Sequence, residues 1–536
     1  MRKTYELFVF KAPPTRCINF SFLCSPVFAN GKTQMAALLK KLAGQTAVYG
    51  LSGMVGRFLN YLLVPLHTAQ FVTSEYGIIT DVYSLAAFGA ILLTWGLETG
   101  FFRFSSKPDY DKHKVLQNIL GFMLYSGLLF SAILLFFTDE LAGALLYPEN
   151  PEYILWMGFA LIFDASAAIP LARLRLQEKP LRFALIQLLS ISVNIGLNVF
   201  FVGFLLPAGE AGHHNFFTSL LYNPEIGVGY IFIANLVASA VKFLFTAPVY
   251  IKASLALNKK LIKQVLIYSA PLMLAGFAGM INEILDRRLI RIVLEPIVGR
   301  EEALSQVGIY GAVYKLSIII TLFIQAFRYA AEPLFFSQSV QSNAKQGYVE
   351  ITKWFTIITA FVFLFVMLYL DLLKHFLADE SYHVGLHIVP VLLSANILLG
   401  LSYNFSIWYK LTNKTSYGAY LALFGAIITI SFNLLLIPHF GYTGSAYATL
   451  AAYGGICTAS YFLGQKYYPV PYKLKTMTAY LAGAWGLYLL STVFPFQGAL
   501  KYAINTLLFV IFALLTFWSE RQTLSKFLMK KNEHES

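Results

Sequence analysis

Apolar runs of roughly 20 residues recur from Gly44 to Trp518, each long enough to cross a hydrocarbon layer of about 30 Å as a helix. Only short polar segments separate them, so little chain is left for any soluble domain. A fold of this kind must satisfy its backbone polar groups inside its own helices. Composition agrees, since 57% of the 536 residues are hydrophobic and 12% charged, too little charge to cover a soluble protein of this length. Lipid is the expected solvent. The 37 Gly and 20 Pro predict bends and close helix contacts, because backbone groups freed by a break must be re-satisfied within the protein.

The runs define fourteen expected spans: 43–66, 76–100, 115–137, 152–172, 183–206, 226–250, 264–285, 308–334, 352–372, 386–409, 417–437, 442–464, 476–494 and 502–518. Charge tests this count. If span 1 starts in the cytoplasm, the cytoplasmic loops collect Lys40, Lys41, Arg103, Lys107, Arg173, Arg175, Lys259, Lys260, Lys410, Lys466 and the basic tail from Arg521. The opposite loops hold only Arg287, Arg288, Arg291, Arg300, Lys374 and Lys501. A missed span would move every later loop to the other side and destroy that bias, so both termini are expected to be cytoplasmic. The net charge of +13 is read the same way, as topology rather than nucleic-acid binding.

Residues 1–34 fit this pattern poorly. Lys11 and Arg16 followed by Cys17 to Ala29 imitate a leader peptide, but cleavage there would place Lys40 outside. We expect a disordered extension before a start at Met35. Cys17, Cys24 and Cys457 are too few for a disulfide framework.

A weak internal repeat runs along the chain. A shift of 234 aligns Tyr76-Gly77 with Tyr310-Gly311, Glu98 with Glu332, and Phe101-Phe102 with Phe335-Phe336. A six-helix unit returns the chain to its starting side, so the repeat is parallel about an axis along the membrane normal. The expected fold is therefore an all-α polytopic membrane protein with two six-helix lobes, 35–252 and 253–465, followed by two further helices and a cytoplasmic tail in 466–536.

Charges inside such spans cost about 2.5–3.5 kcal/mol each on insertion scales, so they face a cavity or one another. Arg57, Asp164, Lys242, Glu283, Asp286, Lys315, Arg328 and Glu332 lie in or at the ends of spans, and Asp81 and Glu98 lie in span 2. Arg328 and Glu332 are four apart, as are Glu283 and Arg287, so each couple can also neutralise itself. Glu98 and Arg103 can reach the headgroups. Arg57, Lys242 and Lys315 have no partner at helical spacing, which suits binding of a phosphate or anionic sugar.

Other chemistry finds no residues. There is no GxxxxGK[ST] loop for ATP, and the neighbouring His213 and His214 lack a second ligand pair for a metal. No cofactor is expected, and nothing marks an enzyme.

Lys41 to Leu66, Tyr76-Gly77 through Gly100-Phe101-Phe102-Arg103-Phe104, Asn282 to Arg288 and Val307 to Gly311 together resemble the polysaccharide biosynthesis flippases. These are the O-antigen type oligosaccharide flippases of the multidrug/oligosaccharidyl-lipid/polysaccharide exporter superfamily. The resemblance implies a two-lobed fold, alternating access, and movement of an undecaprenyl-pyrophosphate-linked oligosaccharide across a bacterial inner membrane for surface polysaccharide or lipopolysaccharide synthesis. It also implies polysaccharide polymerase partners. The cation-coupled multidrug exporters often carry a carboxylate in the first helix, where this chain has Arg57; lipid II flippases usually have more arginine there.

On this reading Arg57, Lys242, Lys315 and Arg328 bind substrate, and Tyr61, Tyr83 and Tyr314 offer faces for sugars. Asp81, Glu98, Asp164, Glu283, Asp286 and Glu332 serve coupling or gating, with proton, sodium and membrane potential all open as the drive. The repeat places Asp81 level with Lys315, so these two are expected to pair as an outer gate.

Overall fold

A computed structural model describes residues 55–56, 58–213, 215–253, 257–338, 344–493 and 497–535, without the side chains of 329–330, 332–338 and 522–535. The expected extension 1–34 and Arg57 lie outside these residues. The described residues are predominantly helical and contain no strand. The elements that matter here are α1 Val64–Gln70, α2 Thr73–Thr94, α3 Leu97–Ser105, α4 Lys112–Phe136, α5 Pro151–Leu176, α6 Pro180–Phe200, α7 Gly229–Thr246, α8 Lys259–Val298, α9 Arg300–Leu316, α10 Ile318–Gln338, α11 Ala344–Leu368, α12 Val389–Phe405, α13 Ser416–Tyr467, α14 Leu474–Val493 and α15 Gly498–Glu535.

Among the described residues, 10 helices are long and apolar enough to cross a membrane, and 11 when α9 and α10 are taken as one bent span. Expected spans 2 to 14 each have a helical counterpart, while span 1 lies largely outside the description. Asn258 and Asp111 start α8 and α4 as N-caps: Asn258 Oδ1 accepts from Lys260 and Leu261 N–H, and Asp111 from His113 N–H, satisfying amides that have no helical acceptor.

Breaks account for the departures from straight spans. Spans 11 and 12 form the long α13, which kinks at Gly441 (φ 57°, ψ −140°) just beyond Pro438, a backbone conformation that glycine adopts without Cβ strain. Span 2 divides into α2 and α3 at Trp95 and Gly96, both left-handed. Span 8 bends by 50° between α9 and α10.

In the first half α5 and α6 pack against α7, and in the second α8 and α12 pack against α13; α14 lies along α11. The halves meet chiefly where α2 crosses α9. There an added Cβ on Gly77 would overlap the Leu304 carbonyl, and one on Gly308 the Thr73 carbonyl. A Cβ on Gly311 would also crowd the Thr80 side chain. Small residues permit this close backbone approach, and Thr73 Oγ1 and Ser305 Oγ hydrogen-bond across it at 2.8 Å.

Two sequence expectations are corrected at this end of the molecule. Span 7 does not stop at 285: α8 continues to Val298, so Arg287, Arg288 and Arg291 are helical rather than loop residues. Both Arg288 and Arg291 are buried, which is tolerable because each guanidinium finds anionic and carbonyl acceptors. The expected Asp81–Lys315 pair is also absent. Facing positions across the crossing are Gly77 with Gly308 and Thr80 with Gly311, about one helical turn short of the 234 shift. Continued by another turn, that register sets Lys315 opposite Ser84, and Asp81 pairs elsewhere.

Candidate functional site

Below the crossing the halves diverge around a cavity of about 410 Å³. One wall comes from the chain around Asn60 to His67, from α2, and from single residues of α6 and α7; α8, α9 and α10 form the other. The polar groups converge. Asn60, Asn194 and Asn235 line the first wall, with Asn194 Nδ2 donating to Asn60 Oδ1 at 3.3 Å and Asn235 Nδ2 to the Tyr83 hydroxyl at 2.5 Å. His67 is held at 2.9 Å from Asn198 Oδ1.

The second wall carries the charge. Lys315, in the last turn of α9, has no hydrogen-bond or ion-pair partner among the described residues, and it lines the cavity beside the bend at Ser317. Arg287 is anchored from its own helix, donating to the Glu283 carbonyl at 2.7 Å and pairing with Asp286 at 3.0 Å. Its guanidinium lies 4.5 Å from the centre of the Tyr314 ring, a stacking arrangement that fixes the fork in place. Asp286 also accepts from the Tyr310 hydroxyl at 2.6 Å. Glu283 faces the cavity and makes no ion pair among the described residues.

Arg287 is thus paired with Asp286, whereas Lys315 has no bonded counter-ion among the described residues. A cation without a bonded counter-ion in a site partly screened from water is primed to take an anion.

A buried cluster joins the two halves beside the crossing. Asp81 Oδ2 accepts from Arg288 Nη1 at 2.7 Å, Arg291 Nη1 at 2.8 Å and the Tyr147 hydroxyl at 2.7 Å. The second nitrogens of the two arginines donate to the carbonyls of Leu145 and Leu146 at 2.9 and 2.5 Å. Arg300 reaches Glu149 at 2.6 Å. The clamp therefore joins α8 and α9 of the second half to α2 and the segment before α5.

The remaining sequence candidates divide as follows. Lys242 is not an unpaired cavity cation: it pairs with Asp164 at 2.9 Å, because α7 packs on α5 and brings the two charges together. Glu98 pairs with Arg175 at 2.7 Å instead of reaching for headgroups alone. Arg328 lies 4.1 Å over the Tyr403 ring and lines a separate small cavity. Glu332 is on α10, its side chain outside the description. Tyr83 and Tyr314 line the central cavity, whereas Tyr61 stacks on Phe376 at 4.2 Å. His67 and the cavity asparagines were missed; the Asn194–Asn198 couple, one turn apart in an apolar span, was a signal available in the sequence.

Residues 71–384 match the model of a family described as polysaccharide biosynthesis protein, and the chain belongs to that family. No curated protein matches. Among solved structures, the lipid II flippase MurJ in an inward closed conformation is similar with a TM-score of 0.66 at 13% identity, covering 88% of this chain and 98% of that one. A multidrug resistance MATE family transporter of the MOP superfamily is similar in its inward-facing form, at 0.55 and 16% identity over 78% of this chain and 98% of the other. An outward-facing conformation of a multidrug resistance MATE family transporter of the MOP superfamily gives 0.53 and 14%, over 82% and 96%. At such identities the likeness is one of fold.

Proposed function

Proceeding from a polysaccharide biosynthesis protein with a cation-bearing cavity between two halves, we propose that this chain is a flippase. Its cargo is a lipid-linked oligosaccharide of the undecaprenyl-pyrophosphate type, and it moves that cargo from the cytoplasmic to the periplasmic leaflet of a bacterial inner membrane. The carrying observation is Lys315, unpartnered in the cavity. A headgroup with two phosphates and many hydroxyls cannot cross a low-dielectric layer unassisted. Lys315 and the Arg287 fork supply charge for the phosphates, while Asn60, Asn194, Asn235, Tyr83 and Tyr314 supply hydrogen bonds and ring faces for the sugars.

Movement follows from alternating access between lobes 35–252 and 253–465. The Thr73 end is periplasmic on this reading, with both termini cytoplasmic, and the Asp81–Arg288–Arg291 cluster with the Gly77/Gly308 crossing holds it shut. An incoming pyrophosphate supplies the counter-charge that Lys315 lacks. Among the carboxylates, Asp286 adjoins the cavity arginine and is the first candidate for proton or sodium coupling; Asp164, tied to Lys242, is the second.

Lys315→Gln, reconstituted in proteoliposomes with a fluorescent undecaprenyl-pyrophosphate glycan, should lose transport by at least tenfold, and Lys315→Arg should retain most of it. Equal rates for wild type and Lys315→Gln, both inserted normally, would remove the reading.

A further inference from the structure

Glu283 belongs to two cavities. It lines the central space and also a cavity of about 150 Å³ lined by residues of α8, α12 and α13 with Ser406 and Tyr409. That second space shares the wall residues Tyr403, Ser406 and Tyr409 with a smaller one of about 80 Å³ beside Arg328 and Asn404. Through these shared walls the second and third spaces adjoin the central cavity in series on the side of the second half, and together they make up a branch.

The branch has the make-up of a sugar site. Tyr403 and Tyr409 present rings, and Ser402, Ser406 and Glu283 present oxygens, the pairing of flat apolar faces with a few placed polar groups that orients a polar ligand. Asn404 is 2% exposed and its Nδ2 donates to the Gly400 carbonyl at 3.1 Å, but its Oδ1 accepts from nothing. A buried acceptor left unmade costs about 1–3 kcal/mol, so this position calls for a hydroxyl or amide donor. The larger of the two spaces, of about 150 Å³, leaves room for roughly ten water-sized groups at about 10–15 Å³ each, the scale of one sugar ring.

We propose that this branch is a subsite for one sugar of the carried oligosaccharide, beyond the sugar attached to pyrophosphate, and that it sets which glycans are accepted. The proposal rests on the flippase reading. The phosphates stay with Lys315 and Arg287 while the glycan turns past Glu283 into the branch, where a hydroxyl donates to Asn404.

Gly279 allows the test, since it lines the branch and a Cβ added there meets nothing within 4 Å. Gly279→Leu should therefore fill the space without disturbing the helix. Wild type, Gly279→Leu, Asn404→Leu and Lys315→Gln are compared in proteoliposomes on two probes, undecaprenyl pyrophosphate bearing one hexosamine and the same lipid bearing a branched tetrasaccharide. The expected result is a loss of about tenfold or more on the tetrasaccharide for both branch variants, with the single-sugar probe moved at the wild-type rate. Equal loss on both probes, or none on either, overturns the subsite. If Lys315→Gln stops both probes while the branch variants behave as wild type, the subsite alone fails. If wild type moves neither probe, the flippase reading fails and the subsite falls with it.

Discussion

Asp81 on α2 and Arg291 on α8 form a 2.8 Å ion pair in which neither side chain is exposed. Because α2 and α8 belong to opposite halves, this pair ties one half to the other, and Arg288 shares the same carboxylate oxygen. Removing one member of such a cluster leaves buried charge uncompensated, at about 3–5 kcal/mol. Asp81→Asn should lower the melting temperature in detergent and expose the Thr73 end to thiol reagents at nearby cysteines. Asp81→Asn with Arg291→Met should recover part of the stability. An unchanged melting curve in the single variant would mean that the cluster does not hold the halves together.

The glycine crossing gives a separate handle on the same closure. Thr73→Cys with Ser305→Cys should form a disulfide readily, since the native hydroxyls lie 2.8 Å apart. Adding Gly77→Ala or Gly308→Ala forces a methyl into the opposing backbone carbonyl, and the helices must separate. The crosslinked fraction should fall severalfold, read on a non-reducing gel. Full crosslinking in both alanine backgrounds would show that the crossing tolerates a Cβ.

Lys242 discriminates between a binding cation and a structural one. Its partner Asp164 stands across α5 and α7, so either single neutral substitution leaves one charge stranded, whereas removing both restores balance. Lys242→Met and Asp164→Leu should each reduce the amount of folded protein, and the double variant should return towards wild type in both abundance and complementation of a flippase-null strain. Loss of complementation in a well-folded double variant would instead give Lys242 a role in binding.

The helical frame was legible because hydropathy and the distribution of Lys and Arg are properties of segments, and segments survive small errors in their ends. The site was legible only in part. Lys315 stood out because nothing at i±3 or i±4 could neutralise it, and the structure keeps it unpaired. Lys242 looked identical by that test, yet its partner is 78 residues away, a separation no helical spacing exposes. Arg288 and Arg291 looked like loop charges because they follow an apolar run; their burial depends on Asp81, more than 200 positions earlier. The gate expectation failed through register: weak identities set the repeat one turn away from the offset at which Gly77 and Gly308 meet.

The last two helices are fixed to the second half by a network whose redundancy can be measured. Lys353 on α11 is 2% exposed and contacts Glu520 on α15 at 2.6 Å and Glu350 at 2.8 Å. Glu350 also binds Lys473, just before α14, at 2.7 Å, and Tyr480 of α14 donates to Glu520 at 3.2 Å. At the other end of α15, Lys501 pairs with Asp371. With two carboxylates on one buried ammonium, loss of either leaves a counter-ion in place, so Glu350→Gln and Glu520→Gln should each cost little. The double variant strands Lys353 and should cost clearly more than the sum of the two, a coupling of about 1–3 kcal/mol. Thermal denaturation of the four proteins in one detergent measures this directly. Additive shifts would show that Lys353 does not depend on the pair, and that α14 and α15 are held by packing against α11 instead.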